Sequence, residues 1–193
     1  MTERLKEKAL ALGAYRAEIV SVADIALDAY FRKMCESNAC GNYGRSYMCP
    51  PDIGNIETLM ERFQTYELAL VYQTVAKLED SFDFEGMMEA GEQHNRLAQK
   101  LWDYTDELQD GGADDARSEV SAREFLHLGA GGCRLCSVCG KKINAPCAHP
   151  DRAMGSLEAY GVNVSELAKL AGMGYINGQN TVTYFGCVLI RKG

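Results

Sequence analysis

The feature of this sequence that most restricts its fold is a run of three closely spaced cysteines, Cys133-Arg-Leu-Cys136-Ser-Val-Cys139. Thiols separated by two residues lie in one short turn, where they can occupy three corners of a cubane iron–sulfur cluster. Zinc sites more often use two separated Cys-x2-Cys pairs, because a tetrahedral ion takes two ligands from each pair. Cys147 is the natural fourth ligand. This second cysteine loop, residues 131–150, therefore predicts a [4Fe-4S] cluster, with zinc as the alternative.

Another three cysteines, Cys35, Cys40 and Cys49, lie upstream in a first cysteine loop, residues 35–51. Two prolines follow the last of them, and a proline after a ligand cysteine also ends bacterial ferredoxin runs. Cys187 is a candidate fourth ligand, although its apolar neighbours suit a buried, inert thiol equally well. The other options are three free thiols, or three ligands and the open coordination position that a reactive metal site needs. The loop therefore predicts a second [4Fe-4S] site that lacks a certain fourth ligand.

Composition narrows the classes of function. The chain has 193 residues, 27 acidic against 20 basic side chains and a net charge of −7, so its own field opposes binding to nucleic acid or anionic lipid. The N-terminus lacks the uninterrupted apolar core of a signal peptide, and no stretch approaches the roughly 20 apolar residues of a membrane span. Eight cysteines without a secretion signal indicate metal or redox chemistry in a reducing compartment. We expect a cytoplasmic protein.

Strand-like and helix-like segments alternate along the chain, which predicts a single α/β domain over residues 1–193. Apolar residues at helical spacing occur in five segments, at about 3–13, 56–63, 87–108, 157–160 and 164–171. Strand patterns occur at about 17–22, 68–72, 125–128 and 181–190. We expect a roughly four-stranded mixed sheet flanked by helices, with the two cysteine loops as its metal-binding parts.

Several other side chains near the loops have both an ordinary and a functional interpretation. Three residues between first-loop cysteines are interpreted as loop packing and support of the ligands: Tyr43, Arg45 and Tyr47. Glu158 and Tyr160 are interpreted as a helix cap and a core tyrosine; they become a proton-donor pair if their helix packs over the second loop. His94, on the apolar stripe of a long helical segment, is interpreted as a hydrogen-bonded core histidine.

Three strings of the sequence together resemble one known family, the predicted metal-binding proteins of domain of unknown function 2284. The strings are Cys40-Gly-Asn-Tyr-Gly-Arg-Ser-Tyr-Met-Cys49-Pro-Pro, the second-loop cysteines up to Pro146-Cys147, and Ser156-Leu-Glu-Ala-Tyr-Gly-Val-Asn-Val164. The resemblance covers nearly the whole chain. It implies a metal-binding, iron–sulfur protein of the kind found in anaerobic bacteria and archaea, with no assigned reaction. The matching cysteines are Cys35, Cys40, Cys49, Cys133, Cys136, Cys139 and Cys147.

Three functions fit these observations. The first is an iron–sulfur protein whose one or two [4Fe-4S] clusters pass electrons to a redox partner protein or a small molecule. The second is an enzyme whose first-loop cluster keeps an open iron and acts on a small substrate. The third is a zinc-stabilised interaction module without catalysis. The cysteine spacing favours the first, and it leaves open whether the chain is an enzyme.

Overall fold

In the computed structural model, which describes residues 1–110 and 125–191, two long strands form the centre of one sheet. β1 (Arg16–Ser21) lies beside β2 (Leu68–Lys77), and β2 pairs antiparallel with the C-terminal strand (Thr181–Ile190) along its full length. Neighbouring side chains of β2 enter apolar clusters on opposite faces of the sheet. Burial on both faces explains why the central strands show continuous apolar runs and no alternation.

The sheet has five strands and is mixed. The remaining strands are β3 (Phe125–Gly129), β4 (Gly155–Ser156) and, as β5, the C-terminal strand, and the order across the sheet is β1-β2-β5-β3-β4. Only β3 and β4 run parallel. The predicted α/β class and mixed sheet are confirmed, with one more strand than expected. The extra strand is β4, whose two residues are too few to produce an apolar pattern.

Helices cover both faces of the sheet. Their bounds are α1 Thr2–Ala11, α2 Tyr30–Glu36, α3 Ile56–Gln64, α4 Phe84–Asp110 and α5 Val164–Leu170. The buried side chains of α3 and α5 join one apolar cluster, and those of α1 and α4 join the other. None of the helices within the described ranges is both long and apolar enough to cross a membrane.

Asparagine side chains fix where two of these helices begin. The Asn55 side chain accepts a hydrogen bond from the Thr58 N–H at 3.1 Å, and Asn163 accepts one from the Glu166 N–H at 3.2 Å. Each bond satisfies an amide that has no partner inside its own helix, which typically stabilises a helix by about 1 kcal/mol. The cap at Asn55 sets the point where the first cysteine loop gives way to α3.

The cysteine loops connect the sheet to the helices but contribute little to the core. Cys35 lies in the last turn of α2, and the second loop leaves β3 and returns to the sheet at β4. Of the eight cysteines, only Cys187 belongs to either apolar cluster. The core therefore forms a scaffold that is largely separate from the two loops.

Two histidines are buried in this scaffold. The His127 ring stacks on Trp102 with centroids 4.6 Å apart, and its Nε2 shares a hydrogen bond of 2.9 Å with the Thr105 hydroxyl. His94 Nδ1 shares a similar bond with the Thr74 hydroxyl, also at 2.9 Å. Burial lowers the pKa of His127 to about 3 and that of His94 to about 4. Both rings are therefore neutral at physiological pH, which agrees with the interpretation of His94 as a core histidine.

We predict that the free energy of unfolding falls as the pH drops below about 6.5, where histidine ionises in an unfolded chain. The folded pKa of His127 is lowered, so its contribution is complete above that pH and is lost progressively towards about 3. Each buried imidazole adds a slope of up to about 1.4 kcal/mol per pH unit. Urea unfolding across this range should give a shallower slope for His127→Gln. The exposed His149 provides the control, and an equal change in His149→Gln would contradict the assignment.

Candidate metal centre

The three first-loop cysteines line one cavity. Cys35, Cys40 and Cys49 surround a space of about 250 Å³. Most of the other side chains that line it are apolar, among them Phe31, Met34, Tyr43, Pro50 and Ala159. The structure thus brings together residues that the sequence separates into a helix and a loop, and it places their thiols around a partly open, weakly polar space.

Two of these thiols, Cys49 and Cys35, have raised pKa values. The pKa of Cys49 is raised to about 11, mainly by burial; a hydrogen bond with Ser46 opposes the shift, and the neighbouring thiols add to it. Burial is also the main cause that raises the pKa of Cys35, followed by the charge of Glu158. Without a cation the buried thiols therefore stay protonated. A bound metal would reverse this preference, because it stabilises the thiolate form directly.

Glu158 is the carboxylate that lines the first-loop cavity. The helix-cap interpretation was wrong, because Glu158 is the first residue of a short 3-10 helix (Glu158–Tyr160) whose N-cap is Leu157, and no side chain caps it. This short helix contacts α2, which carries Cys35 of the first loop. The core interpretation of Tyr160 is correct, since it is only 3% exposed within an apolar cluster.

The four second-loop cysteines also share a cavity. Cys133, Cys136, Cys139 and Cys147 line a narrow space of about 20 Å³, together with side chains that include Tyr47 and His149. Burial raises the pKa of Cys133, while the N–H groups of Leu135 and Met154 oppose the shift. The sequence prediction that these four thiols lie together is therefore met by the structure, which does not itself show what they bind.

Cys139, which is only partly buried, differs from Cys133 because its pKa is lowered. Burial alone would raise it, but the backbone N–H groups of Tyr47 and Lys141 point at the sulfur and favour the thiolate. The Ser46 hydroxyl and the charge of Lys142 act in the same direction. Amide hydrogen bonds to thiolate sulfur are one of the means by which proteins adjust iron–sulfur reduction potentials.

Polar contacts hold the two loops against each other. Ser46 and Tyr47, which serve Cys139 of the second loop, belong to the first loop. The Tyr47 hydroxyl donates a hydrogen bond to the Ala145 carbonyl at 2.8 Å. Lys141 pairs with the Asp52 carboxylate and lies 5.6 Å from the centre of the Tyr47 ring. Tyr47 thus packs the first loop against the second, and its interpretation as support of metal ligands stays a prediction.

Close approach of the backbone fixes Gly140 within the second loop. A Cβ atom at this position would collide with the carbonyl oxygens of Ala145 and Pro146. A glycine is therefore required where the chain folds back towards Cys147. From the sequence, a glycine here predicted irregular backbone, but it did not predict the close approach to these two carbonyl groups.

Cys187 lies apart from both groups. It is fully buried in β5, opposite Val71 on one side and Leu128 on the other. Burial is the only cause that raises its pKa, and no other thiol contributes. Of the two interpretations of Cys187, the structure is consistent with the buried core thiol, and it leaves the first loop with three cysteines.

These features agree with the family to which the sequence belongs. The chain is a member of the predicted metal-binding protein family (DUF2284). The family pattern matches residues 18–190, which include all eight cysteines. No curated protein and no solved structure matches the chain. The family description names metal binding but neither a particular metal nor a reaction.

The arrangement of potential ligands bears on which metal the family member could hold. Within residues 1–110 and 125–191, no group of three or more His, Cys, Asp or Glu side chains is arranged to hold a metal ion. Thiolates on a single zinc ion all lie about 2.3 Å from one centre. A cubane cluster instead carries each thiolate on a different iron and needs wider spacing. In the part of the chain that the structure describes, the cysteines of each loop line a cavity and do not converge on one point.

We predict that Tyr47→Phe lowers the free energy of unfolding by about 0.5–1.5 kcal/mol, because it removes one hydrogen bond between the loops. Metal should also be lost faster to a chelator, since Cys139 depends on the position of this loop. Tyr43→Phe is the matched control, because the Tyr43 hydroxyl makes no hydrogen bond among the described residues. Equal loss of metal from both variants would show that the Tyr47 contact does not hold the loops together.

Proposed function

We propose that this chain is an iron–sulfur protein that transfers single electrons, with a [4Fe-4S] cluster in each cysteine loop. One observation carries the proposal: Gly132, the neighbour of Cys133 in the second loop, lines the first-loop cavity together with Cys35, Cys40 and Cys49. The two thiol groups are therefore neighbours in space. Two neighbouring clusters would allow an electron to pass between them, whereas a purely structural metal site needs no neighbour.

The chemistry of the donor set fits this cofactor. In the second loop four thiols would hold the cluster, Cys133, Cys136, Cys139 and Cys147, and in the first loop three, Cys35, Cys40 and Cys49. When bound, such a cluster supplies one-electron transfer at a potential that the protein adjusts. The N–H groups at Cys139 and Cys133 stabilise negative charge on sulfur and so favour the reduced state.

The surroundings of the first loop exclude water from part of the site. Cys49 is buried, and the apolar walls of its cavity lower the local dielectric. Interactions between charges are stronger in such a space than at the surface. The chain therefore gives the two thiol groups different environments, one weakly polar and the other rich in amide donors.

A second function, an enzyme that acts on a small substrate, is favoured by the cavity itself. The space of about 250 Å³ beside three cysteines approaches the lower end of the volumes typical of ligand pockets. Glu158, at its wall, could give or accept a proton at its carboxylate oxygens. The three-cysteine ligand set would leave one coordination position for a substrate.

We predict that protein prepared without oxygen is brown. Each chain should contain about eight iron and eight sulfide ions, or about four of each if only one loop holds a cluster. Cys49→Ser should reduce the iron of the first loop and leave the second loop intact. Cys187→Ser is the control: it should keep full iron and cost about 1 kcal/mol of stability, as a polar change in a buried strand. Zinc without iron, or iron lost equally from both variants, would refute the proposed cluster assignment.

A titration with cyanide or a small thiol would separate electron transfer from the enzyme alternative. If the first-loop position is open, the added ligand should change the visible or electron paramagnetic resonance spectrum. Ala39→Phe should weaken that response, because Ala39 is an exposed residue at the cavity wall. Ala11→Phe, an equally large change at an exposed site on α1, should not. If no added ligand changes the spectrum of the native protein, the first-loop site has no open position. The enzyme alternative would then lose its basis, and electron transfer would remain the proposed function.

A further inference from the structure

A larger cleft, which borders the second-loop thiols, lies where α4 faces the two cysteine loops. Its volume is about 530 Å³, within the range of about 300–1,000 Å³ typical of small-molecule sites. Residues from α4, from the first loop and from the second loop all line it. Three of the second-loop cysteines, Cys133, Cys136 and Cys139, form part of its wall.

The cleft is basic although the chain as a whole is acidic. Four of the lining side chains are cationic and one is a carboxylate: Arg45, Arg96, Arg134 and Lys142 against Glu92. The net charge of the whole chain is −7, so a local excess of positive charge is not a consequence of composition. It arises because three separate stretches of the chain direct cations to one place.

Most of this charge is not neutralised by neighbouring carboxylates. The Arg96–Glu92 pair is 3.7 Å apart with both side chains more than half exposed, and such pairs are weak. Arg45 and Arg134 make no ion pair with any described residue. Lys142 acts on the Cys139 thiol, whose pKa it helps to lower. Two guanidinium groups therefore remain available to a ligand.

The position of Arg134 depends on a glycine in the middle of α4. A Cβ atom at Gly91 would lie 3.2 Å from the Arg134 Nη2 atom, so the guanidinium rests against the helix backbone where a side chain is missing. Glycine inside a helix costs about 1 kcal/mol relative to alanine. Here the space it leaves lies beside the Arg134 guanidinium, which packs against this part of α4 where it lines the cleft.

We infer that this cleft binds a small molecule with two or more negative charges, as carboxylates or phosphates, and that Arg134 and Arg45 are its main anchors. Guanidinium groups bind both anions through paired, charge-assisted hydrogen bonds. A concave site favours a small molecule over a protein surface, which would need a broader and flatter contact. The ligand would lie beside the second cysteine loop, within reach of electrons delivered there.

The competing explanation is that the cations only offset the negative charge of thiolates in the second loop. That explanation requires no ligand and predicts an effect on the reduction potential alone. Binding measurements and redox measurements on the same variants therefore distinguish the two explanations.

The test is isothermal titration calorimetry of the full chain, prepared without oxygen, with citrate and with pyrophosphate as separate probes. We expect saturable binding of at least one probe, weakened by salt and reduced roughly tenfold or more in Arg134→Gln. Arg45 lies outside the second loop, so Arg45→Gln serves as a second variant if Arg134→Gln does not fold. It should also weaken binding of the probe. Arg4→Gln removes one exposed positive charge from α1 and should bind as the native chain does.

The outcomes decide the inference independently of the metal. Absence of saturable binding by either probe to the folded native chain would overturn it, as would an equal loss in Arg4→Gln. A changed reduction potential in Arg134→Gln without any anion binding would establish charge compensation instead. Iron and sulfide, assayed in the same samples, report on the proposed clusters. Anion binding by a chain that holds no iron would refute the clusters and leave the cleft assignment standing.

Discussion

The candidate site depends on the contact between the two cysteine loops. Neither loop has an apolar core of its own, and what joins them is polar: the Tyr47 hydroxyl on the Ala145 carbonyl, and Ser46 and the Tyr47 amide on the Cys139 sulfur. These bonds hold the two thiol groups beside each other, and Ser46 and Cys139 also line the basic cleft. Without these hydrogen bonds, the two sets of cysteines would no longer be held next to each other.

The sequence was sufficient to predict the scaffold because its signals are local. The apolar run at Leu68–Tyr72 and the patterned stretch before Ile190 identify the central strands, and the helical spacing from Ile56 to Phe63 identifies α3. The two-residue strand β4 could not be predicted, because it exists only through pairing with β3. Strand order likewise depends on contacts between distant residues.

Part of the candidate site was also predictable, because the spacing of the cysteines is a local signal. Cysteine spacing alone grouped the thiols of each loop, and the apolar neighbours of Cys187 already indicated a buried thiol. The sequence could not show that Glu158 lines the first-loop cavity, or that Tyr47 forms a hydrogen bond with the second loop. Those roles follow from how the loops pack after the sheet has formed. The basic cleft is of this kind as well, since its cations are scattered along an acidic sequence.

The separation between scaffold and loops has a consequence for how such a protein matures. Both apolar clusters close without any loop cysteine, so the sheet and its helices can form once the C-terminal strand β5 has been made, without a bound metal. Metal binding would then order the two loops locally after the sheet has folded. Its free energy would stabilise those loops and not the sheet. A cell short of the metal would then accumulate a folded chain without metal, and not an unfolded one.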